Sequence, residues 1–256
     1  MKCTFEKMHG IGNDFVLIDR RITPIELSQE IIQQLADRHT GIGFDQLLLV
    51  DYSDQPDCDA SYRFFNPDGS EAEQCGNGQR CISLYLKHLR PAQETFCVSG
   101  LAGLIHSRVN SDGSVRVKMG KTATVTALSI ATDQQCYHVL MGNPHLVLQH
   151  VTVADCDLQA LMQEYAGDYD GDINFEVVEL ISSDEIKLRV YERGTGETQA
   201  CGSGACAAVS ALQYAGQLSN MVKVRLPGGV LQVENSNNNI YLTGAAKHVF
   251  TGEISI

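Results

Sequence analysis

Glu71-Ala72-Glu73-Gln74-Cys75-Gly76-Asn77-Gly78 and Glu197-Thr198-Gln199-Ala200-Cys201-Gly202-Ser203-Gly204 say nearly the same thing. Each has Glu four residues before a Cys, then Cys-Gly-x-Gly, then an apolar helical run. From Cys75 to Cys201 the offset is 126. A second echo sets Asn13-Asp14-Phe15-Val16 against Asn143-Pro144-His145-Leu146-Val147, an offset of 130 from Asn13 to Asn143. Two matches at one period imply two homologous halves, each mostly strand with one buried helix. The expected division is residues 1–119 plus 246–256, carrying Cys75, and residues 120–245, carrying Cys201. The last strand is expected to return to the first half, because chain termini often lie close together.

Working outward from the motifs, short apolar runs read as strands. In the first half they are Phe15–Asp19, Leu47–Asp51, Tyr62–Phe65, Phe96–Ser99, Leu104–Val109 and Val115–Met119. The last two flank Asn110-Ser111-Asp112-Gly113, a hairpin turn. In the second half they are Leu146–Val151, Phe175–Leu180, Ile186–Tyr191, Val222–Leu226, Val230–Val233 and Ile240–Thr243. Three helices are expected. One follows Thr23-Pro24-Ile25-Glu26, read as a capping box with Pro in the first turn, and runs to about His39. One starts near Gly78 and ends before Pro91. One starts near Gly204 and stops at Gly216; it is apolar almost all round and should lie buried on a curved sheet. The fold class is α/β (α+β): two pseudo-symmetric domains, each a curved, mostly antiparallel sheet or barrel around a central helix.

Composition removes several function classes. The chain has 256 residues, 43% apolar and 20% charged, with net charge −12. That balance suits a soluble globular protein and not a phosphate-binding surface, which needs Lys and Arg. No apolar run approaches the roughly 20 residues of a membrane span, and the first residues lack a signal-peptide core, so a cytoplasmic setting is expected. Nine cysteines without secretory spacing do not form a disulfide scaffold. No Cys-x-x-Cys occurs, so a zinc knuckle is not expected either.

A cysteine at a helix mouth gains from the unpaired N–H groups and the positive end of the dipole. Its thiol is expected to fall from about 8.5 towards 7. The glycines let a ligand approach the backbone, and the same N–H groups can hold a carboxylate. Two such mouths offer a base and an acid for opposite faces of one carbon, which suits inversion of configuration. The pair must then hold one proton between them and titrate as a unit. A buried cysteine in a glycine turn is the bland alternative for either motif alone. Dinucleotide binding is a second alternative, since Gly202-Ser203-Gly204-Ala205-Cys206-Ala207 fits Gly-x-Gly-x-x-Ala. That fingerprint wants an acidic residue ending the next strand, and Val222-Lys223-Val224-Arg225-Leu226 has none.

Met8–Phe15, Asp37–Gln46, Asn66–Cys81, Met141–His145 and Tyr191–Ala208 together resemble the diaminopimelate epimerase family, from residue 5 to about 250. The resemblance implies a coenzyme-free, metal-free isomerase in the cytoplasm, PLP-independent, that interconverts LL- and meso-2,6-diaminopimelate for lysine and peptidoglycan precursors. It implies a homodimer and an active site in the cleft between the two halves. A related amino-acid racemase is the alternative. Matched motif by motif, Cys75 and Cys201 stand as the acid/base pair. Gly76, Asn77, Gly202 and Ser203 stand as the N–H cradle. His145 and Glu192 stand as the groups that adjust the thiols and orient the reacting end. Asn13, Gln46, Asn66, Asn143 and Arg193 stand as substrate contacts. Asn66 and Glu192 occupy the same slot, nine residues before their cysteines.

Departures from the family pattern bear on specificity. Aligned on Phe175, the family's Asn-Val-x-Phe becomes Asp172-Ile173-Asn174-Phe175, with Asp172 in a substrate-contact slot. An Asp there would hold an ammonium and repel a carboxylate. Moving the register by two restores Asn174 and loses the Phe match. Ser99-Gly100 replaces Ser-Thr, and Phe250 stands where a tyrosine tied to dimer contacts is usual.

Overall fold

The structure is a computed structural model that describes residues 2–72, 75–129, 134–166 and 173–256. The chain folds into two compact units, Met1–Val117 with Gly244–Ile256, and Lys118–Thr243. Both are mixed α/β, rich in sheet and poor in helix.

In the first unit β1 (Lys2–Gly10) lies between β18 (Lys247–Ser255) and β2 (Asn13–Asp19), antiparallel to both. β2 runs parallel to β3 (Gln46–Asp51), which is antiparallel to β4 (Ala60–Phe65). One edge of β4 then carries two partners: the short antiparallel β5 (Glu71–Ala72) and the parallel β6 (Thr95–Gly100). β7 (Gly103–Val109) and β8 (Val115–Lys121) continue as antiparallel neighbours. Helix α2 (Gly76–Leu89) touches β1, β2, β3, β7 and β18, strands from both ends of that order. The sheet therefore curls round the helix, which presents Cys81, Ile82, Tyr85 and Leu86 to it. Burying each such aliphatic side chain stabilises by about 1.5–3 kcal/mol.

The second unit repeats this order. β9 (Thr124–Leu128) and β11 (Pro144–Gln149) flank β10 (Cys136–Leu140) antiparallel. β11 is parallel to β12 (Asn174–Ser182), and β12 is antiparallel to β13 (Glu185–Glu192). β13 again carries a short antiparallel β14 (Gly196–Thr198) and a parallel β15 (Met221–Leu226), and β16 (Gly229–Ser236) pairs with β15. β17 (Asn239–Gly244) closes the unit's element list. Helix α4 (Gly202–Tyr214) is buried from Gly204 to Leu212. Its Ala205, Cys206, Ala207 and Ala208 are small, which lets the surrounding strands come close.

Two helices differ from the sequence reading. α1 (Gln29–Ala36) starts at an Ser28 cap, whose Oγ accepts from the Ile31 N–H at 3.4 Å. The Thr23–Glu26 box is not helical. Asp37 stops the helix short of His39 by accepting the His39 and Thr40 N–H groups on Oδ1. α3 (Leu158–Ala166) was not anticipated, although Leu158, Leu161, Met162 and Tyr165 have helical spacing and pack on one cluster. Its start is capped by Asp157 Oδ1, 3.0 Å from the Ala160 N–H. Among the described residues no helix is long and apolar enough to cross a membrane.

Candidate active-site residues in each unit

Both cysteines are helix N-caps with extended backbones. Cys75 (φ −143°, ψ 110°) accepts the Gly78 N–H on Sγ at 3.4 Å. Cys201 (φ −121°, ψ 118°) accepts the Gly204 N–H on Sγ at 3.4 Å. The duplicated glutamates are clips. Glu71 takes a two-pronged hydrogen bond from Arg63 of β4 at 2.8 and 2.9 Å. Glu197 takes the same from Arg189 of β13 at 2.7 and 3.0 Å. Each fork holds the short strand that delivers the cysteine.

At the mouth of α2 the groups are amides and a cation. Asn13 Oδ1 accepts from Asn77 Nδ2 at 3.1 Å and from the Cys75 thiol at 3.8 Å. Asn13 Nδ2 donates to Asp45 Oδ2 at 2.9 Å, which fixes the amide the right way round. Asp45 was not singled out in the sequence; with Lys7, Asp14 and Arg38 it forms an ionic brace behind Asn13. Burial works against the Asp14 charge, but Arg38 and Lys7 hold its carboxyl down at about 2. The fully buried Arg80 donates to Asn77 Oδ1 at 2.9 Å and to the Ala245 carbonyl at 3.3 Å. Gln46 Nε2 donates to Asn66 Oδ1 at 3.2 Å, and the buried Gln46 Oε1 has no partner. Asn66 itself sits on the turn through Gly69, held by Ser70.

At the mouth of α4 the groups are acids and an imidazole. Thr198 Oγ1 donates to Glu192 Oε1 at 2.5 Å. The Cys201 thiol also hydrogen-bonds Glu192 and lies 3.5 Å from Ser203 Oγ. His145 is fully buried, with Nδ1 2.7 Å from Glu176 Oε1 and Nε2 3.0 Å from Asn143 Oδ1. Glu176, also fully buried, carries no motif that would have flagged it in the sequence. Arg193 is exposed, and its backbone N–H donates to Asn174 Oδ1 at 3.1 Å.

One expectation changes. Cys201 does not have a lowered thiol. Burial, then the Glu192 and Glu176 carboxylates, push it well above its ordinary value, while Ser203 and the Gly204 N–H pull only weakly the other way. The helix dipole loses to desolvation. Glu192 is likewise raised, by burial first. Asp172 lies outside the described residues. Asn174, however, pairs with His145 in the parallel β11–β12 register, just as Gln46 pairs with Phe15 between β2 and β3. Asn174 is therefore the register counterpart of Gln46, and its amide spans the Pro144 carbonyl (3.3 Å) and the Arg193 N–H (3.1 Å).

Among the described residues no group of three or more His, Cys, Asp or Glu side chains converges as metal ligands would.

The model of the family described as diaminopimelate epimerase matches residues 5–125 and 137–249. Solved structures share the fold at low identity. A phenazine biosynthesis protein of the PhzF family from Bacillus anthracis is 16% identical, with each chain covered completely and a TM-score of 0.73. A hydroxyproline epimerase from Agrobacterium vitis, solved with trans-4-hydroxy-L-proline, is 12% identical over 99% of this chain and 92% of its own, with a TM-score of 0.74. A probable proline racemase from Agrobacterium radiobacter is 14% identical over 99% and 93%, with a TM-score of 0.72.

Proposed function

Because the chain belongs to the diaminopimelate epimerase family, we propose that it inverts an amino-acid α-carbon by passing a proton between Cys75 and Cys201, with LL-2,6-diaminopimelate as substrate and the meso form as product. The observation that carries this reading is the pair of cysteine-capped helix mouths with different surroundings. Cys201 is kept as a thiol by burial and by Glu192. Cys75 stands among the Asn13 and Asn77 amides, and because Cys201 holds the proton we assign Cys75 as the thiolate that starts the forward step.

The step balances without an outside electron acceptor. The Cys75 thiolate takes the α-proton, and the C–H electron pair stays on carbon, delocalised into the carboxylate. The Cys201 thiol then gives its proton to the opposite face. Cys75 ends as thiol and Cys201 as thiolate, ready for the reverse reaction. Backbone N–H groups at Gly76, Asn77, Gly202 and Ser203 stabilise the developing charge, a contribution of several kcal/mol when such donors are preorganised. Arg193 can bind the far carboxylate with two parallel hydrogen bonds. Asn174 supports the amide reading of the far-end site, because an amide can donate to a carboxylate as well as accept from an ammonium.

The test is α-proton exchange in D2O with LL-diaminopimelate beside a panel of single amino acids that includes proline and 4-hydroxyproline. Exchange with diaminopimelate and not with the others supports the reading. Exchange with proline alone would move the chain to the racemase class of its structural neighbours.

A further inference from the structure

The buried pair behind the mouth of α4 has a role that the duplicated motif does not explain. His145 and Glu176 are both fully buried, and the Nδ1–Oε1 distance is 2.7 Å. A polar pair so deeply buried is costly to desolvate and is weak evidence for stability. The first unit shows that the fold does not need it. Parallel register sets Phe15 beside Gln46, and His145 beside Asn174. Two residues further along, Leu48 occupies the slot that Glu176 fills. The glycines agree: a Cβ on Gly78 would lie 3.2 Å from Leu48 Cδ2, and one on Gly204 would lie 2.6 Å from Glu176 Oε1. One mouth is backed by Phe15 and Leu48, and the equivalent mouth by His145 and Glu176. Chemistry, not packing, distinguishes them.

We propose that Glu176 is a positioning residue that holds the Nδ1 proton of His145, so that Nε2 is the ring's exchangeable edge. A carboxylate oxygen can only accept at this distance from a ring N–H. Nε2 then faces Asn143 Oδ1, 3.0 Å away. The proton stays on Nδ1 of His145 and is donated to Glu176 Oε1. The other ionisable groups around the pair are Glu192 on β13 and Cys201 at the start of α4. β10 brings Val139 opposite His145 and no charge at that position. Gly204 gains a second purpose: its bare Cα makes room for the Glu176 carboxylate beside the first turn of α4, where the dipole favours a negative charge. Glu176 Oε2 has no partner, so the carboxylate is oriented by His145 and the helix mouth alone.

The kinetic arm of the test rests on the epimerase reading above; the spectroscopic arm does not. Nitrogen-15 spectra of histidine-labelled protein at pH 7.5 report which ring nitrogen of His145 bears the proton. The wild-type protein is expected to show a protonated Nδ1. Glu176→Ala, which removes the acceptor, is expected to move the ring to the Nε2–H form that free imidazole prefers. Gly204→Ala, which displaces the carboxylate, should shift it in the same direction. Glu176→Gln keeps an oxygen acceptor and should retain the Nδ1 proton. With substrate, Glu176→Ala should lower kcat about 10- to 100-fold, with KM within about threefold, and Glu176→Gln should recover most of it. An unprotonated Nδ1 in the wild-type spectrum overturns the proposal without any variant. So does a Glu176→Ala protein with unchanged kcat. A wild-type protein with a protonated Nδ1 that turns over no amino acid would leave Glu176 in place and refute the epimerase reading instead.

Discussion

The mouths of α2 and α4 share a backbone and differ in chemistry. Each places a cysteine Sγ 3.4 Å from the N–H three residues on, behind a Glu–Arg clip that fixes the approach. Around Cys75 stand Asn13, Asn77 and Arg80; around Cys201 stand Glu192, Ser203 and, behind them, His145 and Glu176. A duplicated scaffold thus carries amides at one mouth and, at the other, burial and two carboxylates that raise the Cys201 thiol. The lesson is that the helix terminus alone does not set the thiol. The same dipole serves both mouths, and what surrounds the sulfur decides its proton.

The largest expected effect breaks the comparison outright. Cys75→Ala and Cys201→Ala should each reduce turnover by at least about 10³-fold in a steady-state assay, because each removes one of the two proton carriers. Equal activity in either variant would mean that one mouth is only scaffold.

The next test concerns the Gln46 counterpart. Asn174→Ala should lower kcat/KM on the order of 10-fold or more, as loss of a substrate hydrogen bond and of the Arg193 backbone anchor. Asp172→Ala should change it by less than about threefold. The reverse order would place the substrate contact at Asp172.

This pair of variants also marks what the sequence could and could not reveal. The cysteine mouths, the long central helices and the return of the last strand to β1 were all readable, because a repeated motif and helical periodicity each leave a pattern. That Asn174 shares the register position of Gln46 was not legible, because strand register is a long-range property. Glu176 left no signal: a charged residue between Phe175 and Val177 has the alternation of a half-exposed strand, whereas β12 lies between β11 and β13 and is buried from Asn174 to Val178. The Thr23 capping box failed for a local reason. Ser28 offers a competing cap, and only from there do Ile32 and Leu35 meet the core.

A third prediction sharpens the electrostatic contrast. Glu192→Gln removes the second-largest influence raising the Cys201 thiol, so that thiol should ionise at lower pH. Iodoacetamide should then alkylate Cys201 roughly three- to tenfold faster at pH 8.5, read by peptide mass spectrometry, while Cys75 keeps its rate. An unchanged Cys201 rate would assign the shift to burial and Glu176 without Glu192.

The smallest effect lies behind Asn13. Asp14 is held at about 2 in the folded protein against about 3.9 when unfolded, with burial opposing and Arg38 and Lys7 prevailing. Its contribution to stability is therefore complete above about pH 4 and is lost as pH falls from 4 towards 2, on the order of 2 kcal/mol in all. In urea titrations the wild-type midpoint should drop across that window more steeply than the midpoint of Asp14→Asn. Parallel curves would remove Asp14 from the brace.

The most direct measurement of the central claim is the isotope content of substrate and product early in a turnover in D2O. Two sulfurs acting from opposite faces predict deuterium in the inverted product and almost none in the recovered LL substrate. Deuterium rising equally in both would mean that one group serves both faces, and the division of labour between Cys75 and Cys201 would be wrong.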